Sequence, residues 1–231
     1  MSTLFNLDSP IMRALSRMTD LLVLNLVTLV CCIPIVTIGA SFTACHYVTL
    51  KMARHEESYV IRSFFKSFRQ NFKQATVLWI LLLLVVAILA GDIYILNNIE
   101  FEYSEPLKIA IMVVGVMVLF TATFLFPTQA KFDNKIRHTI KNAFVISVLQ
   151  FPKTITMILL NVVPFLILFV IQIAPLSFMF GFSVPALLAA YMYSPFFEKL
   201  ETQIIEKNGG PQKETEADSD KRIFFDTPNG R

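Results

Sequence analysis

The sequence predicts an all-α, polytopic transmembrane helix bundle of five to six spans, and two observations support this. Hydrophobic residues form 55% of the 231-residue chain and charged residues 16%, against about 45–50% and about 25% in soluble domains. The apolar residues also gather in runs of about 20, a length that crosses about 30 Å of hydrocarbon as a helix. We therefore expect a multi-pass protein of the cell membrane.

The chain divides into three predicted parts. Residues 1–19 are expected to form an N-terminal interfacial helix, with Pro10 in its first turn. Residues 20–199 hold the long apolar runs and are expected to form the transmembrane domain. Residues 200–231 turn polar, with many Gly, Pro, Asp, Glu and Lys residues, and this composition predicts a disordered tail.

Residues 20–51 permit two arrangements. Their first apolar run is too short for a full crossing, and Pro34 and Gly39 interrupt the chain directly after it. Arg13 and Arg17 favour a hairpin or re-entrant loop with a cytoplasmic N-terminus, because cations in short loops stay inside. A weak internal repeat in the sequence instead favours one kinked inward span with an external N-terminus.

The interruption is also a candidate functional site. A broken helix exposes backbone groups that protein, solute or water must satisfy, and such breaks recur at transport sites. The alternative is a kink that only lets neighbouring helices pack. The candidate residues for a solute site or a packing break are Pro34, Thr37 and Gly39.

Cations and phenylalanines together predict an interfacial surface. From Glu56 to Lys73 the cations recur at helical steps of four, three and four, and an aromatic stripe lies about a quarter-turn away. This pattern is typical of a helix in lipid headgroups, either alone or with a docked cytoplasmic partner. The predicted lipid or partner docking set is Arg62, Phe64, Phe65, Lys66, Phe68, Arg69, Phe72, Lys73, Lys141, Phe144 and Lys153.

The docking set covers two segments because the sequence repeats weakly at an offset of 80. The residues that return are Phe64, Ser67, Gln70, Lys73 and Thr76, as Phe144, Ser147, Gln150, Lys153 and Thr156. Both copies would run as an inward span, a cytoplasmic amphipathic helix and an outward span. The sequence therefore predicts a parallel repeat, one of the symmetries of transport folds.

Three further apolar segments are predicted to cross the membrane. They are Ala75 to Ile95, Leu107 to Phe126 with Pro127 marking its inner end, and Thr154 to Phe197 as two spans. Asp92 lies about one turn inside the outer end of the first segment. It is a candidate ion or interface residue, or else lies among the headgroups.

The loops predict the orientation. Both Lys/Arg-rich segments should face the cytoplasm, because short cytoplasmic loops keep positive charge. The acidic loop from Asn97 to Glu105 should then lie outside, and the C-terminus inside.

The sequence does not predict an enzyme. His46, His55 and His138 lie far apart, and no Gly-rich phosphate loop or Cys-x-x-Cys pair is present. We expect no catalytic residue, no metal site and no cofactor. The charge distribution does not indicate nucleic-acid binding, so the expected partner is the lipid bilayer.

Two stretches, Leu24 to Ala44 and Phe64 to Ala75, together with Lys51, resemble the YesL family of small polytopic proteins of Gram-positive bacteria. The most specific match is the P-x-x-T-x-G run at Pro34, Thr37 and Gly39. The resemblance covers about residues 8–199, and the family is a domain of unknown function without established catalytic residues.

The resemblance implies an accessory role in carbohydrate transport, because family members are commonly encoded beside carbohydrate ABC importers. We therefore expect an integral membrane protein that assists or regulates such an importer, with its permease or ATPase subunits as partners. The alternative is a stand-alone transporter of a small solute, in which the break from Pro34 to Gly39 lines the path.

Overall fold

The computed structural model describes residues 10–56, 59–98, 104–132, 134–171 and 180–207. In these ranges the chain forms helices joined by short connections, which confirms the all-α prediction. The helices are α1 (Pro10–Cys32), a 3-10 turn (Ile35–Thr37), α2 (Ile38–Ala53), α3 (Val60–Asn98), α4 (Ser104–Lys131), α5 (Ile136–Leu149), α6 (Phe151–Ile171) and α7 (Ser183–Lys207).

Three described segments are long and apolar enough to cross a membrane: Leu15–Cys32, Val60–Asn98 and Glu105–Lys131. A fourth is added if α5 and α6, which meet at a bend of 103°, count as one broken span. The chain is thus a membrane protein with several candidate spans. The prediction of five to six spans stays a prediction.

Helix α2 lies at the centre of the bundle. It contacts α1, α3, α4 and α7, and most of its residues between Gly39 and Leu50 are buried. Many of these residues are small or hydroxylated, which lets neighbouring backbones approach closely where lipid gives no hydrophobic drive for helix association. Two apolar clusters result, one around Leu24 and Val48 and one around Phe124 and Tyr193.

Helices α1 and α2 form an antiparallel hairpin. Along it, Leu24 and Cys31 of α1 pack with Ala44, Cys45 and Val48 of α2 in one apolar cluster. At its open end Arg17 donates to Nδ1 of His55 over 2.7 Å. Of the two predicted arrangements the structure therefore has the hairpin, with its tip at the 3-10 turn.

The helices run past the predicted domain boundaries. Helix α1 crosses the predicted boundary at residue 19 without a break, because no Gly or Pro lies between Pro10 and Cys32. Helix α7 runs to Lys207, beyond the predicted start of the tail at residue 200. Residues 208–231 lie outside the described ranges, as do residues 99–103 of the predicted acidic loop.

Pro127, predicted to mark the inner end of its span, lies inside a helix, since α4 continues to Lys131. Proline removes one backbone donor, but a helix can continue past it where neighbouring groups compensate. Pro127 and its flanking residues are buried against other helices, so packing holds the helix through the lost bond.

Candidate functional site

The N-terminal half of α3 carries the predicted cations on one exposed line. Arg62, Lys66, Arg69 and Lys73 are all exposed. Their spacing places them on one helix face about 17 Å long, at a rise of ~1.5 Å per residue. We call these four residues the basic stripe.

The phenylalanines of this segment divide between the surface and the interior. Phe65 and Phe72 are 42% and 37% exposed, so they flank the basic stripe. Phe64 is fully buried in the cluster with Leu24 and Val48, so its ring is absent from the exposed surface of α3. The sequence pattern predicts a single aromatic face, whereas half of these rings pack on α2.

The opposite side of α3 fixes this surface in place. Ring contacts run from Phe64 to Phe68 and from Phe68 to Phe72, with centroids 6.1 and 5.5 Å apart. The buried residues on that side recur every fourth position, at Ser63, Ser67, Asn71 and Ala75. Because one side is packed into the core, the basic stripe is presented by a rigid helix.

Gly39 lies where α2 packs directly against α3. A Cβ atom placed on Gly39 would lie 2.6 Å from Cβ of Trp79 and would also collide with the carbonyl oxygen of Ala75. Only a residue without a side chain fits there. Gly39 therefore belongs to a tight helix crossing.

The helix break between α1 and α2 is closed by protein groups. Thr37 Oγ1 donates toward the carbonyl oxygens of Cys31, at 2.6 Å, and Pro34, at 2.8 Å. The indole of Trp79 donates to the carbonyl oxygen of Ile35 over 2.9 Å. These carbonyls, freed by the break, therefore have donors within the described chain.

A buried polar bridge joins α3 to α4 and α5. The amide nitrogen of Gln129 lies 2.7 Å from Oε1 of Gln74 and 3.3 Å from Oδ1 of Asn71. Thr139 donates to Oε1 of Gln129 over 3.1 Å. Sequence reasoning missed this bridge, although amides at the ends of apolar runs commonly join membrane helices.

An ionic cluster joins α4 and α7 to the end of α2. Arg54 lies 3.3 Å from Glu201 and 3.4 Å from Glu198, and Lys131 lies 2.9 Å from Glu201. The partners stand 147 and 70 residues from Glu201 in the sequence. Nothing in the local pattern could pair them, so this cluster was also missed.

The second basic segment is arranged differently from the first. Lys141 is exposed, and Phe144 is 38% exposed at the surface of α5. Lys153, at the start of α6, is partly buried and donates to the carbonyl oxygen of Met192 over 3.1 Å. Lys153 therefore binds another helix instead of lining an open surface.

Asp92 lies in the C-terminal half of α3, far from the basic stripe, and is partly exposed. The adjacent Gly91 faces open space. No hydrogen bond or ion pair of Asp92 is found in the described part of the chain. Within the same ranges no three His, Cys, Asp or Glu side chains are grouped to hold a metal ion.

Part of the chain matches a known family. Residues 21–93 match the family DUF624, described as a protein of unknown function. The match covers about a third of the chain and includes the helix break, α2 and most of α3. No curated protein and no solved structure matches the chain.

Proposed function

We propose that this protein is an integral membrane accessory protein that assists or regulates a carbohydrate ABC importer. It would sit in the cell membrane with its C-terminus in the cytoplasm. Its docking surface would be the basic stripe of α3 together with Phe65 and Phe72. The proposal builds on the resemblance to the YesL family, and the match to DUF624 is compatible with it without supplying an activity.

The observation that carries the proposal is a rigid cationic and aromatic surface on the same helix that continues as a candidate span. Arg62, Arg69 and Lys73 are exposed, and they form no ion pair within the described ranges. Each cation near an anionic bilayer contributes about 1 kcal/mol to attachment. The same charges suit an acidic surface on a permease or ATPase subunit.

The contacts at the helix break favour this role over the alternative. A break that lines a solute path would offer carbonyl groups to the solute. Here the carbonyls of Cys31, Pro34 and Ile35 accept from Thr37 and Trp79. These contacts support a packing role for the break, and they count against a stand-alone transporter whose path it lines.

The proposal is tested by measuring uptake of a labelled oligosaccharide through an ABC importer in cells that lack this protein. Uptake should fall, and the wild-type chain should restore it. The variant Arg62→Glu/Arg69→Glu/Lys73→Glu should fail to restore it, because the docking surface is reversed in charge.

The matched control is Lys135→Glu/Arg137→Glu/Lys199→Glu, which makes the same charge change at exposed cations at the start of α5 and on α7. This control should restore uptake. Uptake that is unaffected by loss of the protein would refute the accessory role. Accumulation of labelled sugars by vesicles that contain only this protein would instead establish the transporter.

A further inference from the structure

The C-terminal segment carries a regular acidic pattern. Glu214, Glu216, Asp218 and Asp220 alternate with the uncharged residues Thr215, Ala217 and Ser219, and no cation lies among them. In an extended chain, alternate side chains point to the same side. The segment 214–220 can therefore present four carboxylates in one line.

The spacing of these carboxylates fits the spacing of the basic stripe. Alternate residues of an extended chain are about 6.6 Å apart, so the four acids span about 20 Å. The four cations of α3 rise by about 6, 4.5 and 6 Å, and span about 17 Å. Four acids and four cations can thus lie opposite one another with small adjustments of the long Lys and Arg side chains.

The acidic segment can reach the basic stripe. Glu201 of α7 binds Arg54, which directly follows α2, and α3 begins at Val60. Only six residues lie between Lys207 and Glu214, and the seven steps of an extended chain between them span up to about 24 Å. The N-terminal end of the basic stripe therefore lies on the side of the molecule from which residues 208–231 start.

We propose that segment 214–220 docks on the basic stripe of its own chain and competes there with anionic lipid or an acidic partner. The inference takes its docking surface from the proposed function, but it needs no importer.

Competition follows from the weakness of each exposed ion pair. A tethered segment acts at an effective concentration of the order of millimolar, so a few weak pairs are enough to hold it in place. A bilayer rich in anionic lipid offers many more charges at the same face. The acidic segment is therefore displaced from the docking surface when such a membrane or an acidic partner is present.

The test is site-specific photocrosslinking in the purified full-length chain. A benzoylphenylalanine at Ala217 is irradiated in nanodiscs of phosphatidylcholine that hold one protein copy, and the crosslinked peptides are mapped. We expect crosslinks to residues 60–75. The yield should fall about tenfold in Arg62→Glu/Arg69→Glu/Lys73→Glu, and when the salt rises from about 0.05 to 0.5 M, because screening weakens exposed pairs.

Two further measurements sharpen the result. A variant in which residues 214–220 keep their composition but carry the four acids consecutively should crosslink several-fold less, because alternation is lost. Replacing about a third of the lipid with phosphatidylserine should also lower the yield. The control Lys135→Glu/Arg137→Glu/Lys199→Glu should keep it.

Crosslinks confined to α5, to lipid or to a second protein copy would overturn the inference, as would equal yields from the alternating and consecutive acids. This outcome is separable from failure of the proposed function. Crosslinking uses the purified chain alone, whereas the proposed function is measured as sugar uptake in cells.

Discussion

The two segments that the 80-residue offset pairs share a weak sequence pattern and have different shapes. The first runs without a break through α3, from Val60 to Asn98. The second ends one helix at Leu149 and starts another at Phe151, with a bend of 103° between them. Similar spacing of Phe, Ser, Gln and Lys residues therefore does not decide whether the helix continues.

The difference has an identifiable cause in one residue. Position 72 is Phe in the first segment, and its counterpart at position 152 is Pro. Proline cannot donate a backbone bond, and its ring collides with the carbonyl four residues earlier, whereas in the first turn of a new helix it is tolerated. The Thr154 hydroxyl then lies 2.8 Å from the carbonyl oxygen of Ser147, which the break leaves without its helical donor.

The largest expected effect comes from introducing proline into α3 at position 72, as the second segment has it at position 152. Phe72→Pro should lower the free energy of unfolding by about 3 kcal/mol or more, because it breaks α3 in its interior. Denaturant titration in detergent, followed by the fluorescence of Trp79, the single tryptophan of the chain, measures the change. Phe72→Ala is the control and should cost far less, since Phe72 is 37% exposed. Equal losses would show that the helix break is not the cause.

The next largest effect is expected at the crossing of α2 and α3. Gly39→Leu introduces the residue found at the counterpart position, Leu119. Overpacking against Ala75 and Trp79 should cost about 1–3 kcal/mol and change the emission of Trp79. Gly91→Leu is the matched control, because a side chain at Gly91 meets open space. A stable Gly39→Leu protein with unchanged emission would contradict the close crossing.

A smaller effect is expected where the two segments are joined. Gln129→Leu removes the bridge between α3 and α5 and leaves Gln74 and Thr139 without their partner. The expected loss is about 1–2 kcal/mol, since buried polar groups lose their bonds but can find others in a membrane protein. Thermal unfolding in nanodiscs measures it. Gln203→Leu on the exposed surface of α7 should leave the midpoint unchanged, and an equal shift in both variants would refute the bridge.

The smallest expected effect distinguishes Lys153 from Lys73, its counterpart at the offset of 80. Lys153→Met should destabilise the protein by about 1 kcal/mol, because the lysine donates to the carbonyl oxygen of Met192. Lys73→Met should leave stability within about 0.5 kcal/mol, as is usual for exposed positions. Parallel unfolding curves of both variants measure the difference. A larger loss from Lys73→Met than from Lys153→Met would contradict this distinction.

The sequence predicted the features that depend on composition and on local chain breakers. The apolar runs predicted helices, and Pro34 with Gly39 marked the tip of the hairpin. The sequence did not predict which face of an amphipathic helix packs inward. Phe64 and Phe65 are adjacent and alike, yet only the position of α2 decides that Phe64 is buried.

The sequence also did not predict ion pairs between residues that lie far apart in the chain. Arg54, Lys131 and Glu201 come together from distant parts of the chain, and the sequence shows each only as a charge at or near a helix end. Prolines were ambiguous for the same reason. Pro127 lies within a helix that continues, and Pro152 follows a sharp break, because neighbouring helices decide whether a lost backbone bond can be tolerated.

Helix α3 has a mechanical consequence that depends on its length and on where it is held. Its 39 residues form a rod of about 58 Å at ~1.5 Å per residue, and its contact with the hairpin tip at Trp79 falls at the midpoint. The buried residues of α3 all lie between Val60 and Leu78, so the bundle holds this half and leaves the half from Trp79 to Asn98 as an arm. Any tilt of the held half displaces Asn98, at the end of that arm, the most.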